Sequence, residues 1–118
     1  MKDKIVEFGE LLQRRGFNCG VIAAPSGQHL TRVGPCDDDG CSAAAQRDFF
    51  DAQTIIALAK YLEGKIQPQI SGQGDYWSLA GLLPSGEVIS LYGRSPGDVR
   101  LQHEVSKQVW TELSQILS

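Results

Sequence analysis

The residues richest in chemistry at close spacing are Cys36 and Cys41, which bracket Asp37, Asp38 and Asp39. Two thiols beside three carboxylates have the donor types to hold a divalent metal or to close a small disulfide. Structural zinc takes four ligands, usually as two pairs, and no second pair is present. His29 reaches the loop only if its strand lies alongside. The aspartate run departs from a calcium loop, because Cys41 occupies the fifth position and no Glu stands at the twelfth. The competing reading is a solvated acidic loop that leads through Cys41-Ser42 into a helix. Acidic neighbours raise a thiol's pKa, so neither cysteine is primed as a nucleophile. Cys36 and Cys41 are therefore the weak metal or redox-pair candidates. Cys19 alternates with apolar residues and reads as a small core side chain.

No catalytic residue and no cofactor site is assigned. His29 and His103 fall on different elements, and each reads as a surface or cap residue. The nucleophile-elbow pattern G-x-S-x-G is missing. Gly72-Gln73-Gly74 opens onto a strand, whereas a dinucleotide fingerprint opens onto a helix and carries a third glycine. No G-x-x-x-x-G-K-[ST] occurs, so the chain is not expected to be a GTPase or ATPase itself. The expectation is a protein without enzymatic activity.

These residues sit in a chain of 118, a common size for one domain, and residues 1–118 are read as a single domain. Hydrophobic residues make up 42%, enough for a packed core. The net charge of -3 argues against a general nucleic-acid binder, which carries a basic patch. No apolar run reaches the ~18 residues of a membrane span. The start, Met1 to Phe8, alternates charged and apolar residues and lacks a signal peptide's apolar region. The expected setting is the cytoplasm, with neither nucleic acid nor membrane as partner.

The pattern predicts an α+β fold of three α/β/α layers in the order α-β-β-α-β-β-α. The first helix covers about Asp3 to Arg15, with Ile5, Phe8, Leu11 and Leu12 on one face. Two hairpins share one turn tripeptide: Asn18–Ala24 and Gln28–Gly34 flank Pro25-Ser26-Gly27, and Tyr76–Leu83 and Glu87–Tyr92 flank Pro84-Ser85-Gly86. Both faces of the first strand are apolar, which predicts burial on both sides. Residues 66–71 are a weak fifth strand containing Pro68. The sheet is expected to be antiparallel, four- or five-stranded, with helices on both faces. In the last helix Ser95 is expected to cap, with Pro96 at the first helical position and Asp98 at the third. Its apolar stripe runs through Leu101, Val105, Val109, Leu113 and Ile116, with Trp110 and Leu117.

The central helix, predicted over about Ala43 to Glu63, carries more apolar surface than one contact uses. One arc holds Phe49, Ala52, Ile55, Ile56, Leu58, Ala59, Leu62 and Ile66, and should pack on the sheet. A second stripe holds Phe50, Ala57 and Tyr61, with Thr54 between them, at offsets of 4, 7 and 11 from Phe50. Such a stripe fits a second copy of the helix across a twofold axis. The alternative is Phe50 folded under the acidic loop and Tyr61 at the surface.

In order and phrasing the chain resembles the roadblock/dynein light chain family of profilin-like domains. The resemblance rests on Gly20-Val21-Ile22-Ala23-Ala24-Pro25-Ser26-Gly27-Gln28-His29-Leu30 as a first hairpin, on Ala43 to Ile66 as a long central helix, and on Gly97-Asp98-Val99-Arg100-Leu101 as the passage into the last helix. That family has three strands between its central and last helices, and the third often lies at the dimer seam. The resemblance implies a homodimer with paired central helices. It implies a regulatory or scaffolding role on a small GTPase or other protein partner. Two alternatives are a secretion chaperone holding an effector segment and a small-molecule or redox sensor using Cys36 and Cys41.

Overall fold

A computed structural model describes residues 3–117, with Met1, Lys2 and Ser118 outside them. Helix α1 (Lys4–Arg15) starts where Asp3 caps it, its carboxylate accepting the Ile5 N–H at 2.7 Å. It stops at Gly16, whose left-handed φ of 78° closes the last turn. The chain continues through β1 (Phe17–Ala23), β2 (Thr31–Val33), α2 (Asp39–Asp48), α3 (Ala52–Leu62), β3 (Gln69–Gln73), β4 (Tyr76–Leu82), β5 (Val88–Arg94) and α4 (Val99–Leu117). Among the described residues, no helix is long and apolar enough to cross a membrane.

The five strands form one antiparallel sheet in the order β2-β1-β5-β4-β3. The fifth strand is therefore present, as β3, starting just after Pro68. The central strands β1 and β5 are covered on both faces, as the two-sided apolar pattern requires. Cys19, Val21, Ala23, Val88 and Tyr92 face α2 and α3, while Ile22, Ile89 and Leu91 face α1 and α4. A register irregularity between Phe17 and Cys19 inverts the alternation there. Phe17 thereby joins the α1/α4 core, where it stacks on Trp77 with ring centroids 5.7 Å apart.

Two glycines set how closely the helices approach. A Cβ on Gly20 would meet the Phe8 ring at 2.6 Å, and one on Gly81 would occupy the place of the Trp110 ring. The seam between α1 and α4 is tied by Glu112, which takes Arg14 at 2.9 Å and also pairs with Arg15.

Four expectations need correction. The single central helix is two helices, broken at 49–51. Ile66, assigned to the sheet-packing arc, is 85% exposed because α3 has already ended. The last helix begins at Val99, with the Asp98 carboxylate accepting the Arg100 N–H at 2.7 Å and the Leu101 N–H at 3.3 Å. Ser95 and Pro96 precede it, and Ser95 Oγ instead accepts from Gly97 N at 3.1 Å and Gln102 Nε2 at 3.0 Å. Leu101 accordingly lies exposed and outside the stripe.

Candidate interaction surface

The break between α2 and α3 has a local cause. Asp51 turns out of helical geometry (φ -152°, ψ 178°), and its Oδ1 accepts the Thr54 N–H at 2.8 Å and the Thr54 hydroxyl at 2.7 Å. An aspartate three residues ahead of a hydrogen-bonding backbone N–H is an N-cap, and a new helix starts behind it. Asp48 closes the preceding helix from the other side, accepting the Tyr92 hydroxyl at 2.7 Å. That bond fixes the end of α2 on β5. Burial, helped by the Asp48 charge, pushes the Tyr92 phenol far above its ordinary range, so it stays a donor.

The break separates the two phenylalanines. Phe49 is buried between the helices and the sheet, whereas Phe50 is 69% exposed. Within α3, Ile55, Ala59 and Leu62 point inward. Thr54, Ala57 and Tyr61 lie within a narrow arc on another side, at spacings of three and four. Tyr61 is 58% exposed and carries the Lys65 ammonium 4.6 Å over its ring. Phe50 thus stands ahead of the helix that carries the other three, and not in register with them on one continuous helix. The sequence signal for the break is Asp51 three residues before Thr54 inside an apolar run.

Beside Tyr61 runs a groove of about 240 Å³, walled by Leu58 and Leu62 on α3, Arg47 and Asp48 on α2, and Gln69 and Ser71 on β3. Strand β3 is an edge of the sheet, so among the described residues one side of its backbone has no strand partner. Exposed Tyr61, the shallow groove and the strand edge are therefore contiguous, while Phe50 lies outside the groove's lining.

The cysteines do not assemble as the sequence suggests. Cys36 is joined to Cys19 in a disulfide, with Cα atoms 4.8 Å apart, and Cys41 is free and buried. The antiparallel register explains this: Gly20 pairs with Val33, so the chain beyond β2 runs back along the start of β1. There Cys36 N donates to Asn18 O at 3.2 Å, Asp38 N to Asn18 Oδ1 at 3.1 Å, and Asn18 Nδ2 to Asp37 Oδ1 at 2.6 Å. The hairpin register carried this signal, and Cys19 as a mere core residue missed it.

Cys41 sits in the first turn of α2, where Asp38 caps the helix and accepts the Cys41 N–H at 3.2 Å. Burial first, and the Asp38 charge second, push the Cys41 thiol up to about 11. The Asp38 carboxyl is held below its ordinary value by that backbone bond, with Arg94 Nε 3.2 Å away adding to the effect. An open groove of about 470 Å³ lies among Asp37, Asp38, Asp39, Asp75, Tyr76 and Arg94. Among the described residues, no three His, Cys, Asp or Glu side chains converge as a metal site. His29, at φ 56°, sits in the turn leading to edge strand β2, and His103 on α4 lies beside β3 at the other edge.

No protein-family model and no curated protein sequence matches the chain. Among solved structures the chain is similar to MglB of Myxococcus xanthus, with a TM-score of 0.63 over 98% of this chain and 92% of that one. The two are 16% identical, so the likeness is one of fold. Four helices on a five-stranded antiparallel sheet match the roadblock fold, as the resemblance implied.

Proposed function

We propose that the chain is a non-catalytic module that pairs with a second copy through Phe50, Thr54, Ala57 and Tyr61, and that the pair regulates or scaffolds a small GTPase. The observation that carries this is the exposure of Phe50 and Tyr61, 69% and 58%, on the layer that holds α2 and α3. Two large aromatics left in water, Tyr61 of them beside the edge strand β3, support a surface that another protein covers. A second copy is the simplest partner, because a twofold axis lets one patch serve as its own complement. Burying one such aromatic contributes about 2 kcal/mol, and symmetry counts each side chain twice. The GTPase partner rests on the roadblock resemblance and on the likeness of fold. The cysteine chemistry agrees with a binding role: Cys36 is tied up in a disulfide, and Cys41 is buried and held protonated.

Light scattering behind size exclusion tests the pairing. At high micromolar concentration the protein should elute with twice the chain mass, and Phe50→Glu with Tyr61→Glu should halve it while leaving the circular dichroism spectrum unchanged. Both positions are exposed in the single chain, so the variant folds. A monomeric parent protein at that concentration overturns the pairing. Pull-downs with purified small GTPases, GDP-loaded and GTP-analogue-loaded, test the partner, and retention of a disordered effector segment instead favours a chaperone.

A further inference from the structure

On the α1/α4 face of the sheet, next to β3, lies an open groove of about 450 Å³. Ile66, Pro68 and Ile70 contribute to one wall, and Val99, His103 and Lys107 of α4 to the other. Ile66 is 85% exposed and Val99 67%, so two large aliphatics line one open groove in contact with water.

Their exposure is built in. Gln67 Nε2 donates to Leu62 O at 2.9 Å and Lys65 O at 3.0 Å, and its Oε1 accepts the Leu82 N–H at 3.0 Å. Gln69 Nε2 donates to Ile66 O at 2.7 Å. The segment that holds Ile66 outward is thus pinned to α3 and β4. Val99 is fixed in the first turn of α4 behind the Asp98 cap.

Lys107 is the charged side chain in the groove's lining, and the His103 imidazole lies one helical turn before it. His103 and Lys107 line it, and no carboxylate does. Neither side chain forms an ion pair with a described residue. At the other end of β4 the groove around Tyr76 is lined by four aspartates, so the two ends of the molecule differ sharply in charge.

Spacing then specifies the ligand. Val99, His103 and Lys107 follow one another at four-residue steps, so they form a row along one side of α4. Each step advances about 6 Å along the helix. An extended chain advances about 6.6 Å per two residues and presents alternate side chains to one face. One aliphatic side chain seated between Ile66 and Val99 therefore brings the second and fourth residues along to His103 and Lys107.

We propose that this groove binds an extended segment of a partner protein in which an aliphatic residue is followed, at alternate positions, by two acidic residues. The Lys107 ammonium selects one acidic side chain by charge and the His103 ring N–H can donate to the other, while the exposed aliphatics select the anchor. A groove with two facing walls fits a chain better than it fits the plane of a bilayer. The site lies across the sheet from the Phe50 surface and does not depend on pairing.

The test is an NMR titration of the full chain with three synthetic peptides. Gly-Leu-Ser-Glu-Ser-Glu-Gly has its acids in phase, Gly-Leu-Glu-Ser-Glu-Ser-Gly has them out of phase, and Gly-Leu-Ser-Lys-Ser-Lys-Gly reverses the charge. The in-phase peptide should shift the amides of Ile66, Val99, His103 and Lys107 saturably. Lys107→Glu should weaken it about tenfold and Val99→Asp should remove saturation, with the spectra otherwise those of the folded parent. The Phe50→Glu/Tyr61→Glu variant should bind the peptide unchanged, which separates this site from the pairing surface. Equal binding of all three peptides, or no saturable shift, overturns the proposal. So does binding to phosphatidylserine vesicles with no response to the in-phase peptide.

Discussion

Cys19 and Cys36 show how two residues can organise a loop. Their bond closes a ring across 17 positions of the chain, a size for which a crosslink contributes about 3 kcal/mol. It holds 34–38 on β1 together with the Asn18 hydrogen bonds, and so sets where α2 begins. Reduction, or the pair Cys19→Ser and Cys36→Ser, should lower urea-derived stability by about 2–3 kcal/mol. Cys41 should behave differently. With its thiol pushed up to about 11, it should resist a thiol reagent in the native protein and react on unfolding. Without reductant the unfolded chain should show one thiol, and with reductant all three cysteines. Three reactive thiols before reduction would remove the crosslink from the account. The pairing also bears on the expected cytoplasmic setting, since disulfides persist in oxidising compartments and are rare where glutathione keeps thiols reduced.

Elements depend on where the chain stops one helix and starts another, and Asp51 makes the clearest case. Its carboxylate caps α3, and the Thr54 N–H and hydroxyl hold it below its ordinary range. Asp51→Ala should cost about 1 kcal/mol, while Asp51→Asn or Asp51→Ser should recover most of that in urea unfolding. Full stability in Asp51→Ala would mean that Asp48 and the sheet, not this cap, end the first helix. The same break shows what the sequence discloses. The hairpins were legible because Pro-Ser-Gly turns flank apolar runs, and α1 was legible from its period and from Gly16. The Ala43–Glu63 run has an unbroken helical period, which hid the cap within it. In the last helix Ser95-Pro96 mimics a start three residues early, while Asp98 supplies the bonds. Of the candidate surface, Phe50, Ala57 and Tyr61 were legible as surplus apolar residues. The wall contributed by β3 was not, because only the fold brings an edge strand beside α3.

At the scale of the whole molecule, three carboxylates couple its layers to pH. Asp38 caps α2, Asp51 caps α3, and Glu112 ties α1 to α4 through Arg15 and Arg14. Each is held below its ordinary value: Asp38 chiefly by the Cys41 N–H, Asp51 by the Thr54 N–H, and Glu112 by Arg15 and then Arg14. A carboxyl depressed in the folded state stabilises fully above its unfolded pKa of about 4, and that contribution fades as pH falls through the folded value. Stability should therefore be level from neutrality to about pH 5 and decline below about pH 4. Asp51 is exposed and Asp38 and Glu112 are half-buried, so each effect is modest and should shrink with added salt, most of all at Asp51. They sit on both faces of one sheet, so acid should weaken both layers together in a single unfolding transition. Urea unfolding as a function of pH measures this. The variant Asp38→Asn/Asp51→Asn/Glu112→Gln should show a flatter acid limb than the parent. An unchanged limb would place the acid sensitivity in other carboxylates and leave these three with a purely local role.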